Sequence, residues 1–230
     1  MKFIKMFTFS LFFGTSLYAQ AHTSMVKEFT CPIGGEKFEQ GIDTSGTSFG
    51  METDMRPIGM IAAPWRIPVC PGNKFVIFKD DFTSDELEKF KKVINSKEYQ
   101  SIAEKHSSYF LWGRMMEMAG ENSDAEQMMW IFLQSSWQGG SKESLEKTLE
   151  YADKALAKNA FKEDEKRFNT QFLRGEMLRK LGRFDEAKQT FMQLQNNKIV
   201  QKHKTFKPLA KFQLELVEKK DTMSHRLDFD

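Results

Sequence analysis

Proline is distributed very unevenly along this chain. Five of its six prolines fall at or before Pro71, and the sixth is Pro208. A proline ring fixes φ, removes an amide donor and breaks helix interiors and central strands. Residues 56–71, with Pro57, Pro64, Pro68 and Pro71 around Trp65, are thereby barred from long regular elements. The chain beyond Phe82 is free to be helical. The expected fold class is therefore α+β, mostly α, with a small β module preceding helices.

The β module covers residues 22–82 and is rich in Gly, Pro and Thr. Phe75-Val76-Ile77-Phe78 reads as its clearest strand and residues 27–30 as a weaker one. Residues 43–50 (DTSGTSFG) read as a turn-rich linker. The helical region covers residues 83–220. Thr83-Ser84-Asp85-Glu86 has the form of a capping box, and Ser123-Asp124-Ala125-Glu126 is read as a second. The second opens a stripe at Ala125, Met128, Met129, Phe132 and Leu133, the spacing of a buried helix face. Ser141 is expected to cap a helix carrying Leu145, Leu149, Ala152, Ala155 and Leu156.

The strongest repeat signal lies in residues 168–194. Gly175, Leu178, Gly182, Phe184, Ala187, Phe191 and Leu194 take the spacing of a tetratricopeptide unit, in which small residues let two antiparallel helices approach. Residues 124–156 are expected to be a degenerate copy, and residues 203–220 a closing helix over an apolar face. An ordinary helical hairpin without repeat kinship is the competing reading. Two repeats are short of the three usually needed, so the β module or a helix at residues 84–104 must cover one end.

Residues 1–21 read as a secretory signal. Lys2 and Lys5 precede the apolar stretch MFTFSLFFGTSL, which is too short to span a bilayer of about 30 Å as a helix. Ala19-Gln20-Ala21 is a small-x-small cleavage pattern, placing the cut between Ala21 and His22. An uncleaved anchor or a buried helix is the alternative. Removing Lys2 and Lys5 from 34 basic residues leaves 32, equal to the 32 acidic ones. A neutral chain offers no general field for nucleic acid. No transmembrane span is expected after cleavage, and the expected location is periplasmic or secreted, in an oxidising compartment.

The two cysteines stand in matching contexts: Cys31-Pro32-Ile33-Gly34-Gly35 and Cys70-Pro71-Gly72-Asn73-Lys74. A zinc ribbon draws two thiolates from each of two such knuckles. Here Gly34 and Asn73 occupy the second ligand places. The chain resembles bacterial proteins of unknown function that join a zinc-ribbon-like segment to a tetratricopeptide-like helical region. The resemblance runs through the Cys-Pro knuckles, Asp54-Met55-Arg56-Pro57, Pro64-Trp65, residues 75–82 and Ser135-Ser136-Trp137-Gln138. It implies a degenerate zinc-ribbon-like module on a helical array, and no activity. Knuckles that face each other would bring Cys31 and Cys70 into bonding range, a disulfide replacing the metal. A zinc site with borrowed His or Asp ligands, or two free thiols, are the other readings. The full expectation is a disulfide-stapled β and loop module packed on a tetratricopeptide-like array, with a tail at residues 221–230.

No catalytic or cofactor motif is present, and no catalytic, cofactor or metal residue is assigned. His106 is read as a helix cap. Met115, Met116, Met118, Met128 and Met129 are read as core, with Cu(I) binding as the alternative. The lysine-rich run Lys198, Lys202, Lys204, Lys207 and Lys211 is read as a solvated face. The expected function is a non-catalytic scaffold or adaptor that binds a protein or peptide of the cell envelope. The alternatives are an enzyme with Asp54, Arg56 and Trp65 between the modules, and a metal-handling protein.

Overall fold

The computed structural model describes residues 22–158, 161, 163–197 and 206–227. Within them β1 (Thr23–Thr30) and β2 (Lys37–Ser45) form an antiparallel hairpin that brings Phe29 opposite Phe38. The weaker expected strand at residues 27–30 is the end of β1. Residues 43–50 are not a linker. Asp43 to Ser45 complete β2, and after Gly46 the chain begins β3 (Thr47–Glu52). Thr and Ser in this stretch suit an exposed strand surface, so polarity alone misreads it. β3 pairs antiparallel with β4 (Pro57–Met60) on one side and with β5 (Arg226–Leu227) on the other. The expected C-terminal tail thus contributes Arg226 and Leu227 to the β module as a short strand.

Phe75-Val76-Ile77-Phe78 is not a strand. Only Val76 makes a bridge, to Val69. Val69 is flanked by Pro68 and Cys70-Pro71, and a proline-rich neighbour cannot sustain a ladder. The apolar run serves burial instead. Phe75 and Val76 are fully buried, and Phe78 packs against Phe82, Phe90 and Trp112.

Among the described residues the helices are α1 (Ser84–Ile94), α2 (Lys97–Ala103), α3 (Ser108–Ala119), α4 (Ala125–Trp137), α5 (Lys142–Lys158), α6 (Asp164–Lys180), α7 (Phe184–Gln195) and α8 (Phe206–Glu218). From α3 onward each packs on the next. The Thr83 capping box forms as expected, its hydroxyl taking the Glu86 amide while Glu86 takes the Thr83 amide. The second cap is Asp124 rather than Ser123, because the carboxylate reaches the Gln127 amide at 3.0 Å. His106 is not a cap. Ser107 caps α3, and His106 stacks on Phe110. The helix expected at residues 84–104 is two helices, divided where Ser96 caps α2.

Ser141 caps α5 through the Ser144 amide. Ala125, Met128, Met129, Phe132 and Leu133 are all buried, as are Leu145, Leu149, Ala152 and Ala155. Met115, Met116, Met128 and Met129 lie in the same core, and Met118 packs against it. That core is continuous from Cys31 and Phe75 through α8, so module and helices form one packed body.

In the pair α6–α7, Leu178, Ala187, Phe191 and Leu194 are buried, and Phe184 packs against them. A Cβ on Gly175 would lie 2.6 Å from the Phe191 ring, so the helices touch only because position 175 has none. The same device recurs in α3–α4, where a Cβ on Gly113 would lie 2.5 Å from the Phe132 ring. Gly182 and Gly120 both end their helices at φ +74°, seven residues after the contact glycine. The pair sharing the geometry of α6–α7 is therefore α3–α4, and not the pair at residues 124–156, which is α4–α5.

Candidate functional site

The two Cys-Pro knuckles fold alike. Cys31 donates its amide to Glu36 and accepts from Gly35; Cys70 donates to Phe75 and accepts from Lys74. Gly35 and Lys74 both take left-handed backbone, at φ +71° and +60°. The knuckles face each other, and the two sulfurs form a buried disulfide with Cα atoms 5.7 Å apart. The positions without thiolates also meet: a Cβ on Gly34 would lie 3.7 Å from Asn73 Nδ2. Asn73 uses that nitrogen to donate to the Ile33 carbonyl at 2.6 Å, closing the gap between knuckles. Gly34 sits at φ +104°, a backbone that a cysteine rarely adopts. Among the described residues no group of three or more His, Cys, Asp or Glu is placed to hold a metal ion.

β2 fastens the proline-rich segment by its side chains. Gln40 accepts from the Val69 amide and donates to the Ile67 carbonyl, standing in for a strand. Asp43, whose side chain is buried, accepts from the Arg66 guanidinium at 2.7 Å, the Arg66 amide at 2.8 Å and His22 at 3.0 Å. The Arg66 hydrogen bonds hold its carboxyl down to about 2. Glu86 is likewise held down to about 2 by Lys79 and the Thr83 cap. Burial raises the Tyr99, Tyr109 and Tyr151 hydroxyls above the usual range.

The joint between the β module and the helices is ionic and buried. Glu176 and Arg179 are one turn apart on α6, and both side chains are 0% exposed. Glu176 accepts twice from Arg179 and once each from Thr53 and Gln213. Arg179 also reaches Gln213 and the carbonyls of Asp221 and Met223. Beside this pair Asp54 accepts from Lys180 at 2.6 Å and from Ser224 at 2.9 Å. The network ties the β3–β4 turn, α6, α8 and the C-terminal segment with its hydrogen-bonding capacity filled. Sequence periodicity could not single out Glu176 or Arg179, because α6 is rich in charged residues and is buried on several faces, so no apolar stripe marks which charges are enclosed.

Asp54, Arg56 and Trp65 do not make a convergent acid–base set. The Asp54 carboxylate is consumed by Lys180, Ser224 and the Arg56 amide, while the Arg56 and Trp65 side chains are exposed. His22, the expected first residue after cleavage, is held by Asp43, whereas Ala21 lies outside the described residues. Lys198, Lys202, Lys204 and His203 lie outside them also. Lys211 pairs with Glu215 on α8.

Exposed large apolar side chains belong mostly to the β module. Among the described residues eight large apolar side chains are exposed, and six belong to the β module: Met25, Val26, Phe49, Met51, Met60 and Trp65. Met223 precedes β5, and only Met192 lies on the helical array. The described helices include none long and apolar enough to cross a membrane. No family model, curated protein or solved structure matches the chain.

Proposed function

We propose that this chain is a non-catalytic interaction module of the cell envelope, exported to an oxidising compartment, and that its β module carries the contact surface. The observation behind this reading is the uneven exposure of large apolar side chains. Large apolar side chains left exposed on one module favour a protein partner over bulk water. Val26 and Phe49, at 66% and 62% exposure, add nothing to the fold's own core. The disulfide and the apolar Met6–Leu17 stretch ahead of Ala21 support an exported chain, periplasmic or secreted. The resemblance to tetratricopeptide-like proteins supports binding of a protein or peptide. The carboxylates with the largest shifts, Asp43 and Glu86, are depressed by their cationic partners, an arrangement suited to architecture.

The test places a photo-crosslinking amino acid at positions 49 and 65, with position 192 as the comparison, in cells of the natural host. A discrete adduct from 49 and 65 that is absent from 192, and lost in Phe49→Ser, is the expected result. Equal adducts from all three positions, or none, would overturn it.

A further inference from the structure

Between α5, α6 and α7 lies an open cleft of about 260 Å³. Gln171 and Arg174 of α6 and Gln189, Thr190 and Gln193 of α7 line it, and Leu156 is its one apolar side chain. The cleft's charges are already matched. Arg174 donates to Asp153 and Thr190, and Glu186 at the rim accepts from Arg183. The glutamines are different. Gln171 Oε1 is shielded from solvent and has no hydrogen bond. Gln189 and Gln193 are exposed beside the cleft and have no hydrogen-bond partner among the described residues.

A buried carbonyl oxygen without a donor is a standing cost, removed when the carboxamide turns into the cleft to meet a ligand N–H. The geometry of α7 narrows the choice of ligand. Gln189 and Gln193 are four residues apart, a rise of about 6 Å along the helix. An extended chain presents peptide groups along one edge every two residues, about 6.8 Å. Two carboxamides at that spacing can each meet one peptide unit. No lining side chain is aromatic, so a sugar ring has nothing to stack on. The volume also falls below the roughly 300–1,000 Å³ of enclosed small-molecule sites.

We infer that this cleft binds an extended peptide segment of a partner protein through its main chain, with Gln171, Gln189 and Gln193 as the recognising groups. It lies on elements other than the exposed β-module face, and the two readings fail separately. Recognition of this kind is tolerant of side chains and sensitive to peptide N–H groups.

The probe is an array of blocked, unstructured decapeptides, followed by fluorescence polarisation with the full exported chain. Gln171→Leu is expected to weaken bound peptides by about tenfold or more, a loss of one hydrogen bond's order. The same variant is expected to raise Tm, because it deletes an unpaired polar atom. Gln189→Ala with Gln193→Ala weakens binding without that rise, and N-methylation of the bound peptide's amides abolishes it. Phe49→Ser leaves peptide affinity unchanged. The inference is overturned if no decapeptide binds, if Gln171→Leu leaves affinity intact, or if affinity follows one anchoring side chain instead of the main chain.

Discussion

Arg179 and Asp43 each belong to a carboxylate–guanidinium pair, yet their charges do different work. Arg179 is enclosed and every direction of its guanidinium is met by an acceptor, so removing it strands Glu176 in a dry site. Breaking a buried pair by deleting one partner costs about 3–5 kcal/mol, whereas replacing both costs far less. Arg179→Met is therefore expected to lose stability of that order in urea denaturation, and Glu176→Gln with Arg179→Met to recover part of it. A double variant as unstable as the single one would show that the loss comes from the carbonyls of Asp221 and Met223. Asp43 acts through pH. Its carboxyl titrates at 3.8 in an unfolded chain and at about 2 in the fold. Its contribution is complete above about pH 4 and is lost as pH falls through 2. Asp43→Asn should lower Tm at pH 7, and the gap to the parent chain should narrow between pH 4 and 2. A gap constant over that window would assign Asp43 a role independent of its charge.

At the scale of elements, the helix pairs α3–α4 and α6–α7 are set by one contact each, a glycine under a phenylalanine ring. Gly175→Ala puts a methyl group 2.6 Å from the Phe191 ring, and Gly113→Ala does the same at 2.5 Å from Phe132. Overpacking of this kind costs about 1–3 kcal/mol. The expected sign of its origin is coupling: Gly175→Ala should cost less in a Phe191→Leu background, measured by a thermal double-mutant cycle. Simple additivity would assign the cost elsewhere. Gly175, Gly182 and Phe191 were legible in the sequence because the contact is local, and so were the Thr83 box and the stripe from Ala125 to Leu133. Gly113 and Phe132 make the same contact with a longer connection between them, which hid the match. The strand β3 was hidden by its polar, exposed residues, and residues 75–78 misled because burial and strand formation both demand apolar side chains. The joint at Glu176 and Arg179 was illegible for another reason. Thr53 meets Glu176 across 123 positions of sequence, and no local pattern encodes that distance.

At the scale of the whole molecule, the two knuckles are fastened unequally, and the disulfide decides what holds the weaker one. The second knuckle has anchors of its own. Phe75 is buried against Phe82 and Phe90, the Tyr99 hydroxyl donates to the Lys74 carbonyl at 2.8 Å, and Lys74 pairs with Glu104. The first knuckle is the turn of the β1–β2 hairpin, whose first strand is exposed along nearly its whole length. Its ties to the rest include the Asp43–Arg66 pair, Gln40, Asn73, the Gly72 amide on Glu36, the burial of Ile33 and the sulfur bridge. A bond across a sequence separation of 39 restricts the unfolded chain by about 4 kcal/mol in the chain-entropy account. Reduction should therefore raise hydrogen exchange in β1 and β2 first, while α3 to α7 and the second knuckle stay protected. Intact mass of the chain purified from its host, alkylated before and after reduction, checks the starting state: no label before and two labels after, and, where the proposed export holds, a chain beginning at His22. Exchange that rises equally in hairpin and helices would mean that reduction unfolds the body as a unit. Exchange unchanged everywhere would mean that Asn73, Gln40 and Asp43 suffice, leaving the bridge to protect the chain only once unfolded.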